Sequence, residues 1–189
     1  KSRPPRVITR FRVNRRRAGQ TINRSRANGI FRLSEVKAKK VLEAYGFTIP
    51  EGRLVTSRDE AVEHARHIGF PLAMKIASPD VVHKTSIGGV RLNITSVQHV
   101  KDSYDLMMLR IGQKMPEARV EGIYLERMED HGIEVILGMT RDPQFGPMLM
   151  FGLGGIFVEV MKDVTFNLAP ITHEEAIQML TSTRSYDVL

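Results

Sequence analysis

The sequence predicts an α/β chain made of two α+β lobes, and three observations carry that prediction. Segments of helical period alternate with short apolar strands through residues 33–118. Past Pro116 the pattern changes to closely spaced strands followed by one helix, over 119–189. The charge is also divided. Residues 1–32 hold eleven basic residues and no acid, so an overall +7 leaves 17 basic and 21 acidic residues, or −4, for the rest. Residues 1–32 are therefore expected to be a basic, flexible linker, 33–118 the first lobe and 119–189 the second.

The linker alternates arginine with small and polar residues and shows no sustained period, so it buries too little apolar surface to offset its ordering entropy. Order is expected from Leu33. Ser34 suits the start of a helix whose apolar positions are Val36, Val41, Leu42 and Tyr45, with Gly46 as its stop. After a strand at 53–56, Ser57 and Glu60 form a capping box for a second helix that buries Ala61, Val62, Ala65 and Ile68 and ends at Gly69 and Pro71. Two strands follow, at 72–77 and 89–95, separated by the loop SPDVVHKTSIG; Ser96 then caps a long helix to about Lys114.

In the second lobe, 120–128 and 133–140 read as a hairpin turned at Asp130, His131 and Gly132. A strand at 147–151, the glycine-rich run GLGGIFVEV and a helix capped by Thr172 complete the chain.

Several classes fall on composition. With no cysteine there is no disulfide framework, thiolate metal site or cysteine nucleophile, and a reducing, cytoplasmic setting is the expectation. The longest apolar run, 146–158, is broken by proline and glycines and falls short of the roughly 20 residues of a membrane-spanning helix. The N-terminus lacks an apolar signal region and starts at Lys1.

Lys75 stands out. Every neighbour in LAMKIA is apolar, and a lysine in such a strand either faces water at a sheet edge or meets an anion. The loop that follows ends in Gly88 and Gly89, whose amides can approach phosphate oxygens, and carries His83, a nucleophile or proton carrier if it is not simply solvated. His64 and His67 share a helix face without a third ligand. Glu126 in YLERM and Glu134 in IEVILG are acids within apolar runs, suited to ribose hydroxyls or an adenine amino group, or to outward strand positions. Glu159 and Asp163 follow the glycines and suit Mg²⁺ or the orientation of a histidine.

Long blocks of this sequence resemble one family in order: LSEVKAKKVLEAYG, GFPLAMKIASPDVVHKTSIGGVRL, GIEVILGMTRDPQFGPMLMFGLGGIFVEVMKD and LAPI. From Leu33 to Leu189 the chain is similar to the beta-type ATP-grasp domain of NDP-forming acyl-CoA synthetases, such as ADP-forming acetyl-CoA synthetase. The resemblance implies two lobes closing on a nucleotide, here C-terminally incomplete, with ATP or ADP and Mg²⁺. It implies the reaction acyl-CoA + NDP + phosphate ⇌ acid + NTP + CoA through phosphohistidine. His83 matches the family's second phosphoryl-carrying histidine, the first belonging to a CoA-binding, CoA-ligase partner domain or subunit. Lys75, Gly88 and Gly89 match phosphate-holding positions; Glu126 to Met128 match the strand along adenine; Glu134 matches a nucleotide-contacting acid; Asp163 matches the partner of His83.

The family's Asp-x-Asn-Pro metal block would lie beyond Leu189, so the metal ligands stay unknown and isolated turnover is not expected. Asn167 replaces an expected arginine. Two alternatives are a non-catalytic ATP-grasp-like regulatory module of a protein lysine acetyltransferase, and nucleic-acid binding through the basic tail. With a −4 body, neither nucleic acid nor membrane is the expected partner.

Overall fold

The computed structural model describes residues 11–81, 83–129, 132–155 and 163–188. It divides into two compact units, one spanning Val13–Glu129 and the other built on Asp130–Leu189. No helix among the described residues is long and apolar enough to cross a membrane.

The first unit is a four-stranded sheet, β1 (Gly52–Val55), β2 (Leu72–Ala77), β3 (Val90–Ile94) and β4 (Gly122–Arg127), in the order β1-β4-β2-β3 with all neighbours antiparallel. Strand period 2 sends Leu72, Met74 and Ile76 to one face, where they join Ile123, Leu125, Val55 and Ile94. Helices α3 (Arg58–Ile68) and α4 (Val97–Lys114) close that core with Ala61, Ala65, Ile68, Val100, Met107 and Ile111. The opposite face of β2 and β4 presents Ala73, Lys75 and Ala77 beside Tyr124 and Glu126. Side chains of α2 (Glu35–Ala44) reach it.

The helix starts match their chemistry with two differences. Ser57 and Ser96 accept from the amides of Glu60 and His99. Glu60, however, turns its carboxylate to the amide and hydroxyl of Thr56, so no reciprocal capping box forms there. Ser34 occupies the N-cap position of α2 with no side-chain hydrogen bond to the helix.

Residues 15–27 correct the expectation of a flexible linker. Arg15–Ala27 is a helix, α1, capped by Asn14, whose side chain accepts from the Arg17 amide at 2.9 Å. It packs on α2: the Asn14 amide donates to the Ala44 carbonyl at 2.8 Å, and Arg17 pairs with Glu43 at 2.7 Å. The buried positions are Ala18 and Ser25, seven apart and small, so the seam carries no hydrophobic period. Arginine, a good helix former, fills the exposed face.

The second unit is a three-stranded antiparallel meander, β5 (Val135–Asp142), β6 (Gly146–Leu153) and β7 (Val164–Leu168). Helix α5 (His173–Thr181) starts in a full capping box between Thr172 and Glu175. The expected hairpin of 120–128 with 133–140 does not form. β4 lies between β1 and β2 of the first sheet, whereas β5 pairs with β6 in the second. β4 is buried at five of its six positions, which demands partners on both edges and cover on both faces. The division between units consequently falls at Glu129, not at 118. Asp130 and His131 of the expected turn, and Glu159, lie outside the described residues.

Candidate functional site

Lys75 is the single incompletely buried residue of β2. Its ammonium is 3.0 Å from Glu35 Oε1 at the start of α2 and is also hydrogen-bonded to Glu126 Oε1 on β4. The helical spacing of four places Lys39 beside Glu35, at 3.3 Å, where it pairs with Glu126 and lies 4.8 Å from the centre of the Tyr124 ring. Glu35 Oε2 accepts from Lys84 Nζ at 3.0 Å. Three lysines thus surround two carboxylates on the non-core face of the sheet.

The electrostatics follow from this crowding. Burial raises the Glu35 carboxyl, but hydrogen bonds from Lys75 and Lys84 and their charges outweigh it and bring the pKa down to about 2. Burial alone would lower the Lys75 ammonium; the bonds to Glu126 and Glu35 reverse that and raise it. Burial, together with the charges of Glu126 and Glu35, raises the Tyr124 phenol. The Lys75 ammonium therefore stays charged and, with Lys39 and Lys84 beside it, suits an anionic ligand with several oxygens.

His83 is exposed and lines an open depression with Lys75, Lys84, Glu35, Thr85, Ser86 and Val90. Its carbonyl accepts from Ser86 Oγ at 2.9 Å. The turn that follows is closed by its own backbone: Gly88 donates to Thr85 O at 3.1 Å, and Gly89 to Lys84 O at 2.7 Å. Those amides hold the turn, where the sequence suggested that they approach phosphate. Gly88 needs its glycine for a φ of 76°. At Gly89 a Cβ would lie 2.7 Å from Ile76 Cγ2 and 3.0 Å from Lys84 O, so the loop can seat against β2 only with a glycine there.

The expected adenine strand is present but its acid is engaged. Glu126 is 6% exposed, with both oxygens bound by lysine. Met128 donates its amide to Pro71 O at 3.0 Å and accepts the Asn93 amide on sulfur at 3.1 Å.

Glu134 and Asp163 belong to the second unit, so Glu134 is not on a strand neighbouring Glu126. Glu134 is exposed and its carbonyl accepts from Gly154 at 2.7 Å. A Cβ on Gly155 would lie 2.9 Å from Glu134 Oε2, so the glycine turn and this carboxylate are in close register. Asp163 accepts from Ser185 Oγ at 2.6 Å and from the Ser185 and Arg184 amides at 2.8 and 2.9 Å. The Ser185 hydroxyl above all, then the Arg184 amide, hold its carboxyl below the usual range. Asp163 thereby anchors the chain just before the 3₁₀ turn Tyr186–Val188.

A model of the ATP-grasp domain matches residues 24–189. The chain belongs to the ATP-grasp family. It is 44% identical over 157 residues to the ADP-forming acetate–CoA ligase I subunit beta of Pyrococcus furiosus, covering 83% of this chain and 68% of that subunit. It is 42% identical over 177 residues to the ADP-forming acetate–CoA ligase I of Archaeoglobus fulgidus, where it covers 94% of this chain but 26% of the relative. This ATP-grasp chain thus spans about two thirds of one relative and about a quarter of the other.

Among solved structures it resembles the Ca. Korarchaeum cryptofilum dinucleotide forming acetyl-coenzyme A synthetase 1 in complex with coenzyme A, Ca-AMPCP and HgCl+. The TM-score is 0.86 at 40% identity, over 91% of this chain and 75% of that one. A further form of that synthetase contains coenzyme A and Mg-AMPPCP, with a phosphohistidine segment pointing towards its nucleotide binding site (TM-score 0.76, 37% identity, 91% of this chain and 73% of that one).

Glu35 and Lys39 are the site residues that sequence reasoning missed. The spacing of Glu35, Lys39 and the apolar Val36 put both charges on one helix face, but acids in a first turn are so common as dipole partners that Glu35 carried no distinct signal.

Proposed function

We propose that this ATP-grasp chain is the nucleotide-handling part of an NDP-forming acyl-CoA synthetase, an acid–thiol ligase that interconverts acyl-CoA, NDP and phosphate with acid, NTP and CoA. The observation that carries the reading is the shared depression of His83, Lys75 and Lys84. A nucleophilic imidazole beside two cations is what a phosphoryl relay requires, because loose phosphoryl transition states are stabilised by position and positive charge.

In the synthesis direction a ring nitrogen of His83 attacks the phosphorus of a phosphohistidine on a CoA-binding partner. The new N–P bond forms as the partner's N–P bond breaks, its electron pair returning to the partner's imidazole. A terminal phosphate oxygen of NDP then attacks the phosphorus, the His83 N–P bond breaks, and NTP leaves with His83 neutral again. Lys75 and Lys84 hold the phosphate oxygens, and the Gly88–Gly89 turn sets the loop's reach. Glu126 and Met128 lie along the base, and the family resemblance assigns Glu134 to the nucleotide and Asp163 to the histidine. The burial and neighbours of Lys75 support its assignment; Asp163 must share its oxygens with Ser185 to fill its own.

ATP-grasp domains bind ATP or ADP with Mg²⁺, and one structural neighbour holds Mg-AMPPCP. Mg²⁺ at a nucleotide takes one or two carboxylates and completes its shell with phosphate oxygens and water. Among the described residues no three or more His, Asp or Glu side chains form a metal cluster, and Glu35 and Glu126 are engaged by lysines, so the roles assigned here are those of this chain's own side chains.

The test is ATP formation from acyl-CoA, ADP and phosphate by the full-length protein with its CoA-binding partner. His83→Asn should abolish it while the protein still binds nucleotide; a variant that forms ATP at the wild-type rate excludes the relay.

A further inference from the structure

Lys84 is a junction. Its carbonyl accepts from Gly89 and closes the turn after His83, while its ammonium reaches across to Glu35 on α2. The other oxygen of the same carboxylate is bonded to Lys75, and Lys39 stands 3.3 Å from it. Glu35 is three-quarters buried and is the one side chain among the described residues that bonds both the strand lysine and the residue next to His83. A carboxylate bridging two ammonium groups presents the charge and oxygen spacing that a phosphate would present to the same pair.

We propose that Glu35 is a latch on the His83 loop: it docks Lys84 beside Lys75, and the phosphates of a nucleotide compete with it for those two ammonium groups. Glu35 is a positioning residue, acting on His83 through Lys84. With the latch closed, the loop is seated against β2 and α2. When phosphate oxygens take the lysines, Glu35 lets go and the loop, still closed on itself by the Gly88 and Gly89 amides, is free to carry His83. The latch rests on the phosphoryl-relay reading for its purpose, but its mechanics do not need it.

Two readouts on the full-length protein test the latch and separate its failure from that of the relay. The first is amide exchange without nucleotide. Glu35→Gln should speed exchange at Gly88 and Gly89 about five- to tenfold, the worth of a partly exposed ion pair, while Met74 and Ile123 in the core keep their protection. Lys84→Met should do the same, and the double variant should add little, because both break one contact. Unchanged loop exchange in both variants, or equal loss of protection in loop and core, overturns the latch.

The second readout is labelling by ATP. Glu35→Gln should lower the apparent KM for ATP, since a competitor for Lys75 and Lys84 is removed. Glu35→Asp, which keeps the charge, should restore KM towards wild type. A KM that rises in Glu35→Gln marks Glu35 as structural support only and overturns the proposal. Should His83→Ala label as wild type does, the relay fails, whereas the exchange result still decides the latch.

Discussion

Lys75 on β2 and Glu126 on β4 are bonded diagonally across neighbouring strands: Glu126 stands opposite Ala73, and Lys75 opposite Tyr124. Side chains two positions off register on one face remain within reach when one of them is long. The pair lies where the sheet turns its non-core face to α2, so burial makes each charge dependent on the other. Glu126→Gln leaves Lys75 and Lys39 with Glu35 as their remaining carboxylate. Loss of one member of a buried ionic group costs more than loss of an exposed pair, and we expect about 1–3 kcal/mol here. Urea unfolding at neutral pH measures it; a change below about 0.5 kcal/mol, the worth of an exposed pair, would show the cluster to be solvent-screened.

Acid should release the same cluster through Glu35. Its carboxyl is held at about 2 in the folded chain against an ordinary 4.5, so the unfolded chain binds the proton more readily. The stability this contributes is complete above about pH 4.5 and is lost as pH falls towards 2. The difference in urea midpoint between wild type and Glu35→Gln should therefore be constant at pH 5–7 and narrow from pH 4.5 downward. A difference that stays constant to pH 2.5 would contradict the assignment.

His64 provides a separate titration away from the cluster. It is buried on α3 with Nε2 lacking a partner, and burial first, then the charge of Arg53, lowers its pKa from 6.5. Glu51 raises it and His67 lowers it further, the desolvation being the larger effect. A histidine kept neutral by the fold contributes stability that is complete above its unfolded pKa and declines as pH falls below about 6.5. His64→Leu should flatten the fall in melting temperature between pH 7 and pH 5. An unchanged slope would place the proton elsewhere.

Gly122 opens β4 at φ 144°, and a Cβ there would lie 2.3 Å from the Val55 carbonyl oxygen. Backbone cannot move aside as a side chain tip can. Gly122→Ala should destabilise the first unit by about 2 kcal/mol or more, with faster amide exchange along β1 and β4. Gly112, with nothing within 4 Å of its Cβ position, is the matched control and should tolerate alanine.

The sequence made the helices and strands of the first unit legible wherever period and caps agree. Leu72, Met74 and Ile76 alternate around Lys75, and Ser57 and Ser96 mark helix starts that the structure keeps. That Lys75 meets an anion was readable because a lone charge in an apolar strand needs a partner, here Glu35 and Glu126. Non-local choices were not readable. Nothing near β4 says that it inserts between β1 and β2, since alternation reports which face is buried and not which strand lies alongside. β7, a five-residue strand after the glycine-rich run, escaped for the same reason, its pairing with β6 being set by register rather than by a local signal. α1 was missed because Ala18 and Ser25 pack by being small. Glu35 was missed because its two lysine partners are 40 and 49 residues away.

The proposed relay turns on transfer of a phosphoryl group to His83. The direct measurement is incubation of the full-length protein with γ-labelled ATP, followed by mapping of acid-labile, base-stable phosphate by peptide mass spectrometry. Label is expected on the peptide containing His83, removed by excess ADP and absent from His83→Ala. Label of equal amount in His83→Ala, or label confined to another residue, would contradict it.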